Sequence, residues 1–243
     1  MVFVIGLACV LVALFIIVEL QGKPLLALAL KGLASLGFIA VFAFGLNDAI
    51  VNVFDDPLLF GYFANDRLLI SILFLLGLVS GLLGDIYLAL RPLRPAEDQE
   101  QVIMSGIAAF SVGHVFYYVA LVMVGGFSLW AILFTVVISM LFYVGSRALD
   151  FRMGRLFIPS MAYSALIFLM VGQAVMNVWS LGFSIYTALV LAGALLFAIS
   201  DLILAPIYFK GETRQGFVIA NLSTYYAAQI LIALSVMGLF TSF

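Results

Sequence analysis

Eight long apolar runs take up most of this sequence and constrain its fold more than any other feature. They are separated by charges, prolines and glycine pairs, and lie near residues 2–18, 25–46, 67–90, 101–124, 128–144, 156–177, 184–206 and 217–240. A helix needs about 20 mostly apolar residues to cross the roughly 30 Å hydrocarbon layer of a bilayer. The sequence therefore predicts an all-α integral membrane protein, a single transmembrane domain built as a bundle of eight helices.

The composition agrees with this fold class and excludes several others. Hydrophobic residues make up 66% of the chain and charged residues 9%, whereas soluble domains average roughly 45–50% and about 25%. This composition excludes a disordered chain and a nucleic-acid binder. Cys9 is the one cysteine, so an internal disulfide and a cysteine metal site are excluded as well.

The basic residues predict how the helices are oriented in the membrane. Short cytoplasmic loops retain Lys and Arg, and nine of the ten basic residues fall at alternate connections. These nine are Lys23, Lys31, Arg91, Arg94, Arg147, Arg152, Arg155, Lys210 and Arg214. We therefore expect both termini on the non-cytoplasmic side, together with the acidic connection from Asn47 to Asp66, which contains Asp55 and Asp56. Without long tails or targeting signals, we expect a multi-pass protein of a bacterial inner membrane.

Two stretches of the chain resemble each other. LLGDIYLAL (82–90) in the third run is similar to AISDLILA (198–205) in the seventh, and the pair Tyr117-Tyr118 recurs as Tyr225-Tyr226. Four crossings restore direction, so this similarity predicts two parallel four-helix repeats. Asp85 and Asp201 would then lie at equivalent depths, roughly 10 Å inside their helix ends. Parallel repeats often have a site at their interface.

The aspartates of these stretches are the strongest candidates for a functional site. A carboxylate inside a span costs about 2.5–3.5 kcal/mol on insertion scales, so it normally faces the bundle interior and marks a site. Gly77 and Gly81 share a helix face with Asp85, and Ala198 shares one with Asp201, which predicts close packing there. The alternative is that each aspartate only pairs with a basic or hydroxyl neighbour.

The other polar residues of the spans allow two interpretations each. His114 is the one histidine, and because zinc needs several protein ligands we expect it to orient a neighbour or act directly in catalysis without a metal. Bonding between helices and contact with a substrate explain the polar residues of the sixth and eighth runs about equally; these are Tyr163, Gln173, Asn221, Tyr225 and Gln229. Lys23 and Lys31 can extend to the membrane surface or bind a lipid phosphate, and the first is favoured for Lys31.

Three classes of function fit these residues. Intramembrane aspartates at a repeat interface suit an enzyme and equally a small-molecule or proton-coupled membrane transporter. A transporter is expected to have broken helices, whereas the runs around the aspartates contain no internal proline, although Gly84 and Pro206 lie near. A lipid-binding structural protein is the third class, and it would tolerate asparagine at both positions.

Five segments carry a family resemblance. GLLGDIYLAL, FSVGHVFYYVAL, IPSMAYSALIFLM, GALLFAISDLILA and LSTYYAAQILIALS together resemble the YhhN/TMEM86 family of lysoplasmalogenases. The Lys23-Pro24 pair also resembles the family's lysine-proline entry to the second helix. The residues that match are Lys23, Gly84, Asp85, His114, Tyr117, Tyr163, Ser200, Asp201, Tyr225 and Gln229. The resemblance implies a membrane hydrolase that cleaves the vinyl ether bond of lysoplasmalogens. Its products are a fatty aldehyde and glycerophosphoethanolamine or glycerophosphocholine.

Vinyl ether hydrolysis suits a pair of carboxyl groups. In the slow step, an acid delivers a proton to the alkene carbon distal to oxygen. This acid has to be still protonated near neutral pH. A carboxyl group removed from water keeps its proton to higher pH and so meets that requirement. A second carboxylate stabilises the oxocarbenium ion and accepts a proton from water, as in glycosidases. Asp85 and Asp201 are the expected catalytic pair. His114, Tyr225 and Gln229 would orient them, and Lys23 would hold the phosphate, with no cofactor or metal required and with the lysophospholipid and the bilayer as partners.

Overall fold

All of the regular secondary structure in the described part of the chain is helical. The computed structural model describes residues 1–54 and 57–241, and the side chains of these residues except 52–65 and 241. The helices are α1 (Val2–Leu20), α2 (Pro24–Phe54), α3 (Pro57–Leu90), α4 (Gln99–Gly125), α5 (Leu129–Ala148), α6 (Phe157–Leu181), α7 (Ile185–Phe209) and α8 (Gln215–Thr241). Each of these eight is long and apolar enough to cross a membrane, which confirms the predicted class of fold.

The second and third helices are longer than the sequence predicts. The connection expected from Asn47 to Asp66 is helical in α2 up to Phe54 and in α3 from Pro57, so its expected length was wrong, while its side of the membrane stays a prediction. Asp55 and Asp56 lie outside the described residues. Apolar runs mark the hydrocarbon layer, whereas a helix ends where its backbone bonding ends. At 31 and 34 residues, the two helices are about 45–50 Å long and extend beyond the layer.

Six helices form a ring with α1 and α5 on its outside. Around the ring, α2 packs on α3, α3 on α4, α4 on α6, α6 on α7, α7 on α8 and α8 back on α2. Outside it, α1 packs on α2 and α5 packs on α6. The order of pairing in the first four helices recurs in the last four, and the proposed sequence repeat itself stays a prediction.

Glycines on α3 allow the ring to close tightly beside Asp85. A side chain at Gly77 would overlap the ring of Tyr117 on α4, and one at Gly81 would meet the side-chain amide of Gln229 on α8. The stripe of small residues therefore faces α4 and α8, and the close packing that the sequence predicts for it is confirmed. It holds α3 close enough to both helices for Asp85 to be buried among their side chains.

Candidate active site

Asp85 has partners from two neighbouring helices. Its side chain is 2% exposed, and its Oδ2 accepts hydrogen bonds from the Ser35 hydroxyl of α2 and the Tyr225 hydroxyl of α8, each 2.7 Å long. Its Oδ1 lies 3.4 Å from the Nζ atom of Lys31, also on α2. Two hydroxyl donors and a cation suit an ionised carboxylate, because bonds to a charged acceptor are stronger than neutral ones.

A chain of hydrogen bonds connects Asp85 on α3 through two residues of α8 to Tyr117 on α4. The Tyr117 hydroxyl of α4 donates to Oε1 of Gln229 over 3.0 Å, and Nε2 of Gln229 donates to the Tyr225 hydroxyl over 3.2 Å. Tyr225 in turn donates to Asp85. Three residues singled out in the sequence, Tyr117, Tyr225 and Gln229, thus form one network that ends on the carboxylate.

Asp201 has far fewer partners. It lies on α7, and its Oδ2 is buried with no hydrogen-bond partner in the described part of the chain. Tyr163 on α6 lines the same cavity as Asp85 and Asp201. The two carboxyl groups therefore differ in their hydrogen-bond partners.

Both aspartates line one cavity inside the ring. Its volume is about 570 Å³, within the range of small-molecule sites. Polar groups at its inner part come from Asp85, Asp201, Lys31, Tyr163 and Tyr225. The remaining wall is largely apolar and includes Ile103, Ile107, Phe110, Phe197 and Leu204. The cavity reaches the end of the bundle where the basic connections lie, through Glu19, Pro24, Arg91, Gln99 and Phe209.

Ser200 lies next to Asp201 and ties α7 to α8. The Asn221 amide donates to the Ser200 hydroxyl and to the Ser200 carbonyl, both over 2.9 Å. The Ser200 hydroxyl donates to the Asn221 carbonyl over 3.1 Å. Both residues line the cavity. This reciprocal set of bonds positions the stretch of α7 that carries Asp201.

His114 lies behind the cavity wall. It is 1% exposed, its Nδ1 donates to the Phe110 carbonyl over 2.8 Å, and its Nε2 is buried with no partner in the described residues. Its ring packs against Phe197, with centroids 4.5 Å apart, and against Tyr163. Phe197 and Tyr163 line the cavity, so His114 supports side chains that do. Within the described residues, no group of three His, Cys, Asp or Glu side chains could hold a metal ion.

The two lysines of α2 and its preceding turn lie in different surroundings, and one of them departs from the sequence-based expectation. Lys23 is exposed at the α1–α2 turn, and its neighbour Pro24 lines the cavity. Lys31, expected to extend to the membrane surface, is instead 9% exposed and paired with Asp85, so that interpretation was wrong. The available signal was its spacing, since Lys31 and Ser35 share a helix face at i and i+4.

Gln173 lies away from the cavity. Its Nε2 donates to the Gly126 carbonyl over 2.8 Å and to Oδ1 of Asn177 over 2.9 Å. Nδ2 of Asn177 donates to the Leu121 carbonyl over 2.9 Å. These bonds join α6 to the end of α4. Of the two roles that the sequence allows for Gln173, the structure therefore supports hydrogen bonding between helices.

One comparison with known proteins found a match. The YhhN family pattern matches residues 53–236, more than half of the 243-residue chain. This range includes both aspartates and every matching residue named above except Lys23, and it confirms the resemblance seen in the sequence. No curated protein and no solved structure matches the chain.

Proposed function

This chain belongs to the YhhN family, and we propose that it is a membrane hydrolase of lysoplasmalogens. It would cleave the vinyl ether bond and release a fatty aldehyde with glycerophosphoethanolamine or glycerophosphocholine. The observation that carries the proposal is that Asp85 and Asp201, on helices far apart in the chain, line one largely apolar cavity. Such a cavity suits the hydrocarbon chain of a lipid, and its two carboxyl groups would face the vinyl ether of that lipid.

The contacts of the two aspartates suggest different roles. Leaving a buried charge without partners is costly, and Asp201 has a buried oxygen with none in the described residues. We assign the reactive proton to Asp201. Asp85, with Lys31, Ser35 and Tyr225 around it, is the carboxylate that stabilises positive charge.

The reaction balances with these two groups alone. Asp201 transfers its proton to the alkene carbon distal to oxygen, whose π electrons form the new C–H bond and leave an oxocarbenium ion. Water adds to this cation and gives a proton to Asp85, forming a hemiacetal. Asp201 then takes the hemiacetal hydroxyl proton while Asp85 protonates the departing glycerol oxygen. The aldehyde leaves and both carboxyl groups return to their starting states, as general acid–base catalysis requires.

Two features of the helices support a hydrolase over a transporter. α3 runs unbroken through Asp85, and α7 runs unbroken through Asp201 and past Pro206 to Phe209. Transporters commonly bind substrate at discontinuous helices.

The test is aldehyde release from a lysoplasmalogen by the purified protein. We expect Asp85→Asn and Asp201→Asn each to abolish release, assayed on the fraction that elutes as folded protein in size-exclusion chromatography because Asp85→Asn leaves Lys31 without its partner, and Asp150→Asn to retain release. Asp150 is an exposed residue of the α5–α6 connection with φ of 54°, a conformation that asparagine tolerates. Dialysis against a chelator should leave the wild-type rate unchanged. Wild-type release by either site variant would exclude the pair, and a loss on chelation that zinc restores would point to a metal.

A further inference from the structure

The mouth of the cavity contains charges of both signs. Glu19, at the end of α1, and Arg91, directly after α3, both line it, together with Gln99 of α4 and Tyr208 of α7. The Arg91 guanidinium lies over the Tyr208 ring, 4.7 Å from its centroid. This contact orients the guanidinium and leaves its N–H groups available to a ligand.

Neither charge has an ion-pair partner among the described side chains. In the part of the chain with described side chains, the ion pairs are Lys31 with Asp85 and Arg214 with Glu212. Glu19 and Arg91 come from different helices, line the same opening, and pair neither with each other nor with another charge there. A ligand with one negative and one positive group is the complement of such an opening.

The spacing between Asp85 on α3 and Arg91 directly after it fits a lysophospholipid. Arg91 follows Asp85 by six residues, which is about 9 Å along a helix axis. In a lysoplasmalogen, a glycerol unit separates the vinyl ether from the phosphate. A phosphate at Arg91 therefore lets the ether reach toward Asp85, with the alkenyl chain along the apolar wall at Phe110 and Phe197.

We propose that this mouth binds a zwitterionic phospholipid head group, with Arg91 on the phosphate and Glu19 on the ammonium group. The inference rests on the proposed function for the identity of the lipid. It replaces Lys23 by Arg91 as the phosphate-binding residue, because Arg91 lines the cavity and Lys23 is exposed beside it.

The experiment measures binding without catalysis. Three saturated alkyl ethers, which have no vinyl bond to cleave, are titrated in a maltoside detergent that lacks phosphate: an alkyl lysophosphoethanolamine, an alkylglycerol phosphate and an alkylglycerol. We expect Arg91→Gln to weaken binding of both phosphate ligands about tenfold or more, as loss of a charged hydrogen bond implies, and to leave the alkylglycerol unaffected. Glu19→Gln should weaken only the ethanolamine ligand.

The control is Arg94→Gln, an exposed arginine three residues further along that does not line the cavity, and it should bind as wild type. The proposal is overturned if Arg91→Gln binds the phosphate ligands normally, if it weakens all three ligands equally, if Glu19→Gln binds the ethanolamine ligand normally, or if Lys23→Gln causes the loss instead. Failure of the proposed function looks different. In that case the wild type would bind these ethers and the variants would weaken binding as described, yet the wild type would release no aldehyde from a lysoplasmalogen.

Discussion

Lys31 and Asp85 form an ion pair inside the helix bundle, with Nζ 3.4 Å from Oδ1 and the two side chains 11% and 2% exposed. The pair joins α2 to α3 at the inner part of the cavity. A buried pair contributes little net stability, but removing one partner leaves an uncompensated buried charge.

The first prediction follows from that asymmetry. Lys31→Met should destabilise the protein by about 3–5 kcal/mol and abolish aldehyde release, because Asp85 loses its cation. The double variant Lys31→Met/Asp85→Asn should regain most of the stability but no activity. Thermal unfolding in detergent measures the first effect, and a single variant as stable as the wild type would contradict the pairing.

The second prediction concerns the Tyr225 hydroxyl, which connects Gln229 to Asp85. Tyr225→Phe keeps the ring between Phe110 and Phe197 but removes the 2.7 Å bond to the carboxylate. We expect kcat to fall about ten- to hundredfold, the size of a hydrogen bond to a charged group. The matched control is Tyr143→Phe, because Tyr143 lies on α5 and is 43% exposed. Equal rates for the two variants would show that the hydrogen bond from Tyr225 to Asp85 does not contribute to catalysis.

The third prediction concerns packing rather than chemistry. Gly77→Ala would place a methyl group against the Tyr117 ring, and we expect it to lower stability by about 1–3 kcal/mol, as overpacking does. Gly32→Ala, on α2 with open space around the position, should leave stability equal or slightly higher, since alanine is the better helix former. Unfolding midpoints of the two variants decide the matter. An unchanged midpoint for Gly77→Ala would show that α3 and α4 do not approach as described.

The fourth prediction follows the proton to carbon. In D₂O, the released aldehyde should carry a single deuterium on the carbon next to the carbonyl, because that carbon receives the acid's proton. The rate should also fall, since this transfer is the slow step. Rapid trapping of the aldehyde as a stable derivative, followed by mass spectrometry, gives the measurement. An aldehyde trapped without deuterium would contradict acid-initiated cleavage.

Local sequence pattern is enough to predict part of the site. Asp85 and Asp201 stand out because a carboxylate in an apolar run has to face protein, and Gly77 and Gly81 predict which face of α3 is inside. The same reliance on local pattern makes the prediction for Lys31 wrong. Lys31 lies near the end of its apolar run, where extending the side chain to the membrane surface costs little free energy. No local rule shows that a carboxylate on the next helix lies within reach of it.

From the sequence alone follow the eight spanning helices, the inward face of α3 and the identity of the two acidic residues, because hydrophobic length and period are properties of contiguous residues. The tertiary structure alone decided that Lys31 belongs to Asp85, that Asp201 keeps an oxygen without a partner among the described residues, and that Arg91 rather than Lys23 lines the cavity. Each of these depends on which helices meet and in what register. Such meetings are set by packing between residues far apart in the chain, which no periodicity within one helix encodes.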